Sequence, residues 1–180
     1  LVFVLIRPRS GNFVYSDAEF KTMKSDIQLC KDLGCQGIVS GVLNADKTID
    51  LKRTKELVEL SKPLPFTFHR AFDEVSNPKE ALEQLIGLGI ERVLTSGQET
   101  SAEKGIVLLK ELNGISKGRI IILAGRGVLA KNANAFKMIG LQEIHSSASK
   151  VVSNGTADYF GTVAQTVSDI ETIKKILNII

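Results

Sequence analysis

The sequence predicts an α/β fold, a TIM-type (β/α)8 barrel with about six βα units present, and two observations carry that prediction. Six short apolar runs recur, at residues 2–6, 37–42, 65–69, 92–95, 119–123 and 142–145, and each is followed by a helical pattern. A helix after every strand argues for parallel pairing, because a parallel neighbour is reached only through a crossover. The runs also end on chemistry: Arg7-Pro8-Arg9, His69-Arg70, Ser96-Gly97-Gln98, Gly125-Arg126-Gly127 and His145-Ser146-Ser147. A doubly wound sheet gathers its site at one switch point, whereas a barrel brings every strand end to one mouth.

Each element has a local reason. After the first strand, Ser16-Asp17-Ala18-Glu19 fits a capping box opening a helix over about 17–33. Phe20, Met23, Ile27 and Cys30 form its buried stripe, and Gly34 supplies the left-handed stop. Asp50 or its neighbours start a second helix through Leu57, Val58 and Leu60, which ends before Pro63 and Pro65. Asn77-Pro78 opens the third, with proline where its missing N–H costs nothing. Ser101-Ala102-Glu103-Lys104 leads into a fourth carrying Val107, Leu108 and Leu112, and residues 130–139 give a fifth. Val163, Val167, Ile170, Ile173, Ile176 and Leu177 are expected on a last helix. No low-complexity linker interrupts the series, so residues 1–180 read as a single, incomplete barrel domain.

The composition suits a buried core and excludes some partners. Of the 180 residues, 43% are hydrophobic, and 23 Lys+Arg against 20 Asp+Glu leave too small a surplus to argue for nucleic acid. No apolar stretch reaches the roughly 20 residues of a membrane span. Cys30 and Cys35 match neither a zinc spacing nor a Cys-x-x-Cys pair, so reduced structural thiols are expected. Leu1-Val2-Phe3 looks like the inside of a strand, and eight units are needed for closure, so two front units are expected to be missing. Such a chain would leave its first strand unpaired and depend on a partner or aggregate.

Several constellations carry candidate chemistry. Gly125, Arg126 and Gly127, with Ser146 and Ser147, occupy what would be the loops after strands seven and eight, where barrels often bind phosphate. The same glycines also suit a tight βα turn. Arg7 and Arg9 fall on one side of an extended backbone, implying a nearby anion, either a ligand or an acid such as Asp73 or Glu143. Alternation in Phe66-Thr67-Phe68-His69 turns His69 into the barrel if the phenylalanines pack on helices, and Asp73 would orient it for proton transfer. Arg70, Ser96 and Gln98 stand at neighbouring strand ends as ligand-binding candidates. His69 and His145, the two histidines, are the candidate metal ligands at this mouth, with no third ligand evident. No Ser-His-Asp order, terminal-strand lysine, Walker loop or dinucleotide pattern is present.

The strings Ile6-Arg7-Pro8-Arg9, Thr67-Phe68-His69-Arg70-Ala71-Phe72-Asp73, Arg92-Val93-Leu94-Thr95-Ser96-Gly97 and Glu143-Ile144-His145-Ser146-Ser147-Ala148 closely resemble the copper homeostasis protein CutC family. The resemblance spans nearly the whole chain, and the tail beyond Ser149 is similar to the extension of animal members. It implies a TIM-type barrel, cytosolic or nuclear placement, homo-oligomeric assembly and a role in copper binding and tolerance. Two departures stand out. The family's Pro-Gly-Gly-Gly loop here reads Ala124-Gly125-Arg126-Gly127, and Cys30 and Cys35 stand where the family usually has alanine. The thiols that the resemblance would give to copper would lie in the front segment expected to be missing.

Two functional expectations result. In one, the chain handles copper, a soft ion best served by sulfur. In the other, it is an enzyme holding a phosphorylated or carboxylated molecule between Arg7, Arg9, Gly125 and Ser146, with His69 and Asp73 moving protons.

Overall fold

The computed structural model describes residues 1–153 and 164–179. Six strands, β1 (Phe3–Leu5), β2 (Gly37–Ser40), β3 (Phe66–Phe68), β4 (Arg92–Thr95), β5 (Ile121–Ala124) and β6 (Glu143–Ile144), form one parallel sheet in chain order. Helices α1 (Asp17–Asp32), α2 (Leu51–Ser61), α3 (Pro78–Gly87), α4 (Ile106–Ser116) and α5 (Ala130–Met138) make the crossovers, so the sheet curls as an open part of a barrel. Among the described residues β1 pairs only with β2 and β6 only with β5.

The helix starts are where the side chains dictate. Ser16 and Glu19 close the expected capping box, Asp50 accepts from the Arg53 N–H, and Asn77 caps α3 with Pro78 behind it. Helix α4 begins only at Ile106, because residues 98–105 make a turn that passes under the end of β4. There the backbone of Gly105 presses against Ser96 and Gly97 so closely that a Cβ on Gly105 would lie 2.0 Å from the Ser96 carbonyl oxygen.

Alternation along the strands sorts the core into two sides. Ile38, Phe66, Phe68, Val93 and Ile122 are almost fully buried in the layer between sheet and helices. Their neighbours Phe3, Leu5, Val39, Thr67, Leu94 and Leu123 line the hollow on the other side. Gly37 is required by one of them: a Cβ there would meet the Phe3 ring at 2.3 Å.

The expected last helix is shorter. Residues Ser149–Ser153 (β7) and Gln165–Ser168 (β8) form an antiparallel hairpin, and only Ile170–Leu177 is helical (α6). Val167 is therefore in a strand and Val163 lies outside the described residues. The apolar spacing that reads as helix is shared by strand and helix residues on either side of Asp169. That residue stops the strand and caps α6 by accepting from the Thr172 N–H.

Candidate ligand site at the barrel mouth

The hollow is a cleft of about 1050 Å³ running the length of the strands. Its floor is an ion pair. Arg92, at the start of β4, donates from Nε and Nη2 to the two carboxylate oxygens of Glu143 at 2.8 and 3.0 Å, and its guanidinium lies 5.5 Å from the centre of the Phe3 ring.

At the other end stand Arg7, Phe13, His69, Arg70, Arg126 and His145. His69 immediately follows β3 and is 4% exposed, packed with its ring centre 4.8 Å from that of Phe13. Its Nδ1 accepts the Ala71 N–H at 3.2 Å, while Nε2 is buried without a protein partner. Burial pushes its pKa down to about 4, and the charges of Arg7 and Arg70 push the same way. The ring is therefore neutral near pH 7. Because Nδ1 spends its lone pair on Ala71, the single ring proton belongs on Nε2, a buried donor in the wall of the cleft.

The expected His69–Asp73 dyad does not form. Asp73 sits in a turn of 3-10 helix (Arg70–Glu74), and its carboxylate serves the end of β4. Oδ1 accepts from Thr95 Oγ1 at 2.6 Å, Ser96 N at 2.9 Å and Gln98 N at 3.3 Å, and Oδ2 accepts from Arg70 Nε at 2.8 Å. The Ser96 hydroxyl, 3.0 Å from Oδ2, is also 2.7 Å from the Glu99 carbonyl. Asp73 thus ties Arg70 to the turn after β4, and Ser96 is a buried part of that knot. Gln98 lines the cleft, but its side-chain amide donates to the Val75 carbonyl at 2.6 Å.

The paired arginines separate. Arg7 stacks 4.7 Å from the Phe13 ring centre at the mouth, donating to the Gly11 carbonyl. Arg9 points elsewhere: it pairs with Glu19 at 2.5 Å and spends its remaining donors on Ser10, Asn12 and Val14. Its acid is neither Asp73 nor Glu143, because β1 ends at Leu5 and strand alternation does not extend to residues 7–9.

The glycine-rich loop is also partly committed. Gly125 donates its N–H to the Thr95 carbonyl as a continuation of the ladder, and a Cβ there would meet Leu94 at 2.5 Å. Arg126 and Gly127 both take positive φ, 77° and 74°, which turns the exposed Arg126 toward the cleft. Ser146 donates to the Val128 carbonyl at 2.7 Å and accepts the Ala148 N–H at 3.1 Å, tying the last two loops together. The Ser147 hydroxyl meets that of Ser149 at 3.1 Å.

Among the described residues no three of His, Cys, Asp and Glu converge as a metal site would require. His145 lines the cleft as expected, yet His69 is a poor metal ligand. Ligation through Nε2 would move its proton to Nδ1, against the Ala71 N–H.

Sequence reasoning missed Phe13 and Arg92 as neighbours of the cleft and gave Glu143 to Arg7 and Arg9 instead of Arg92. The two-residue period from Leu94 back to Arg92 was the available signal for one of them.

The CutC family model matches residues 1–150. A family protein CutC of Edwardsiella ictaluri is 52% identical over 151 residues, covering 84% of this chain and 60% of the relative. One from Bacteroides fragilis is 50% identical over 153 residues, covering 84% and 61%. The chain therefore spans about 60% of the length of the curated relatives it matches. These relatives are bacterial, so the expected likeness to animal members is not borne out. The solved structure of a candidate copper homeostasis protein CutC from Streptococcus agalactiae superimposes with a TM-score of 0.76 at 35% identity, covering 80% of this chain and 71% of that one. QR15, an aldolase, shares the fold alone, with a TM-score of 0.64 at 16% identity. With the match running from the first strand to the start of β7, the chain belongs to the CutC family.

Proposed function

We propose that this chain is the barrel portion of a copper homeostasis protein and that copper(I) is its cargo. Membership of the CutC family carries this reading, with about half of the aligned residues identical to the bacterial relatives. Family resemblance also supports a cytosolic or nuclear protein that works as a homo-oligomer; among the described residues, no helix is long and apolar enough to cross a membrane. The test is a titration of the intact chain with copper(I) against a chromophoric copper(I) chelator under a non-thiol reductant. Stoichiometric withdrawal of copper from the chelator is expected, and none would overturn the reading.

One observation favours a second activity at the mouth. His69, whose Nε2–H is buried and unpartnered, lines the cleft together with Arg7, Arg70 and Arg126, an arrangement suited to a small carboxylate or phosphate. A buried donor without a partner is costly, and a ligand oxygen would satisfy it. Inorganic phosphate or a small dicarboxylate should raise the melting temperature of the chain, and Arg7→Ala should abolish the rise. Equal stabilisation of both proteins would remove the mouth as the anion site.

A further inference from the structure

The end of α1 holds the two cysteines together. Leu33 caps the helix, Gly34 follows with φ +74°, and the Gly34 N–H donates to the Lys31 carbonyl while the Cys35 N–H donates to the Cys30 carbonyl, each at 3.0 Å. These two bonds define a Schellman motif, in which the side chain three positions before the cap meets the one two positions after it. In most helices that contact is between two hydrophobes. Here both partners are thiols: Cys30 is buried in the core, and Cys35 packs against the same core while remaining half-exposed.

We propose that Cys30 and Cys35 form a two-coordinate copper(I) site at the C-terminal end of α1. The inference rests on the copper reading above and assigns the cargo a place in this chain. Copper(I) favours soft sulfur and accepts two thiolates in a near-linear arrangement, so it needs no third residue. The ion replaces the two thiol protons, which leave to solvent; two Cu–S bonds form, and copper stays in its +1 state throughout. Neither oxidant nor reductant takes part.

The Cys35 N–H held on the Cys30 carbonyl keeps the two thiol-bearing residues at one helix end, Cys30 inside the core and Cys35 at its rim. Access comes from the Cys35 side, which is partly open to solvent.

The test uses the intact chain and the Cys35→Ser and Cys30→Ala/Cys35→Ala variants in the same chelator competition, with circular dichroism melts to verify folding. The wild-type chain is expected to take up one copper(I) that both variants lose. Copper uptake by the wild type that persists in the folded double variant would overturn this site and leave the copper reading standing. No uptake by the wild type would overturn both. Because Cys30 is a core residue, X-ray absorption at the copper edge of the loaded wild-type chain supplies a check without substitution. Two sulfur neighbours are expected, and a shell of nitrogen or oxygen alone would refute the assignment.

Discussion

Ala71 donates its backbone N–H to Nδ1 of His69 at 3.2 Å, and this one bond determines what the ring can do. It fixes the proton on Nε2 and leaves the ring no free lone pair. The ring is built to offer a hydrogen bond rather than to accept a proton.

A pH dependence of stability follows. His69 has a pKa of about 4 in the fold against 6.5 in the unfolded chain, so between these values the unfolded state binds the extra proton. The contribution of the neutral ring is fully present above pH 6.5 and is lost as pH falls toward 4. The depression corresponds to at most about 3 kcal/mol. Urea unfolding at pH 7.5 and pH 5 should show the wild type losing stability on acidification, with a smaller loss for His69→Phe. An equal loss in both would assign the slope to other groups.

The carboxylate of Asp73 should matter to folding more than to any reaction. Asp73→Asn keeps one oxygen for Thr95, Ser96 and Gln98 but turns an NH2 group toward Arg70. Losing a largely buried, charge-assisted set of this kind should cost about 2–3 kcal/mol. The measurement is chemical denaturation. Unchanged stability would mean that the knot after β4 is not held by Asp73.

How much of this was legible beforehand depends on the range of the interaction. The capping box at Ser16 and Glu19, the Asn77-Pro78 start and the left-handed Gly34 are encoded within a few residues, and each stands where the sequence puts it. The inward turn of His69 is equally legible, because period two along Phe66–Phe68 leaves it no other face. Asp73 and Arg9 show the boundary. Each is near a plausible partner in sequence, but the choice between His69 and Thr95, or between a ligand and Glu19, is made by the path of a turn that no periodicity describes. The Cys30–Cys35 contact lay in between. Spacing alone matched no known pair, yet Gly34 already announced the motif that joins them.

The turn between β4 and α4 makes a sharper prediction than its polar knot. A Cβ on Gly105 would lie 2.0 Å from the Ser96 carbonyl oxygen and 2.9 Å from the Gly97 Cα, both backbone atoms that cannot rotate aside. Gly105→Ala should therefore cost more than the 1–3 kcal/mol of ordinary overpacking. Gly114→Ala, with nothing within 4 Å, should be neutral to slightly stabilising because alanine suits a helix better. Parallel thermal melts decide it: similar melting temperatures for the two variants would show that the close approach at Gly105 is relieved by a small backbone shift.

The floor of the cleft offers a test of whether its ion pair is there for stability. Arg92 and Glu143 join β4 to β6 across the intervening β5, in a partly shielded space and beside an aromatic face. Removing one partner leaves the other charge in that space, which costs more than the pair contributes. Glu143→Gln and Arg92→Met should each destabilise by about 1–3 kcal/mol, whereas the double variant should recover part of that loss, since methionine can pack on Phe3 without a counterion. A double-mutant cycle by urea unfolding measures the coupling directly. Strictly additive losses would mean that each side chain acts through its own packing and that the bond between them contributes nothing to holding β6 in the barrel.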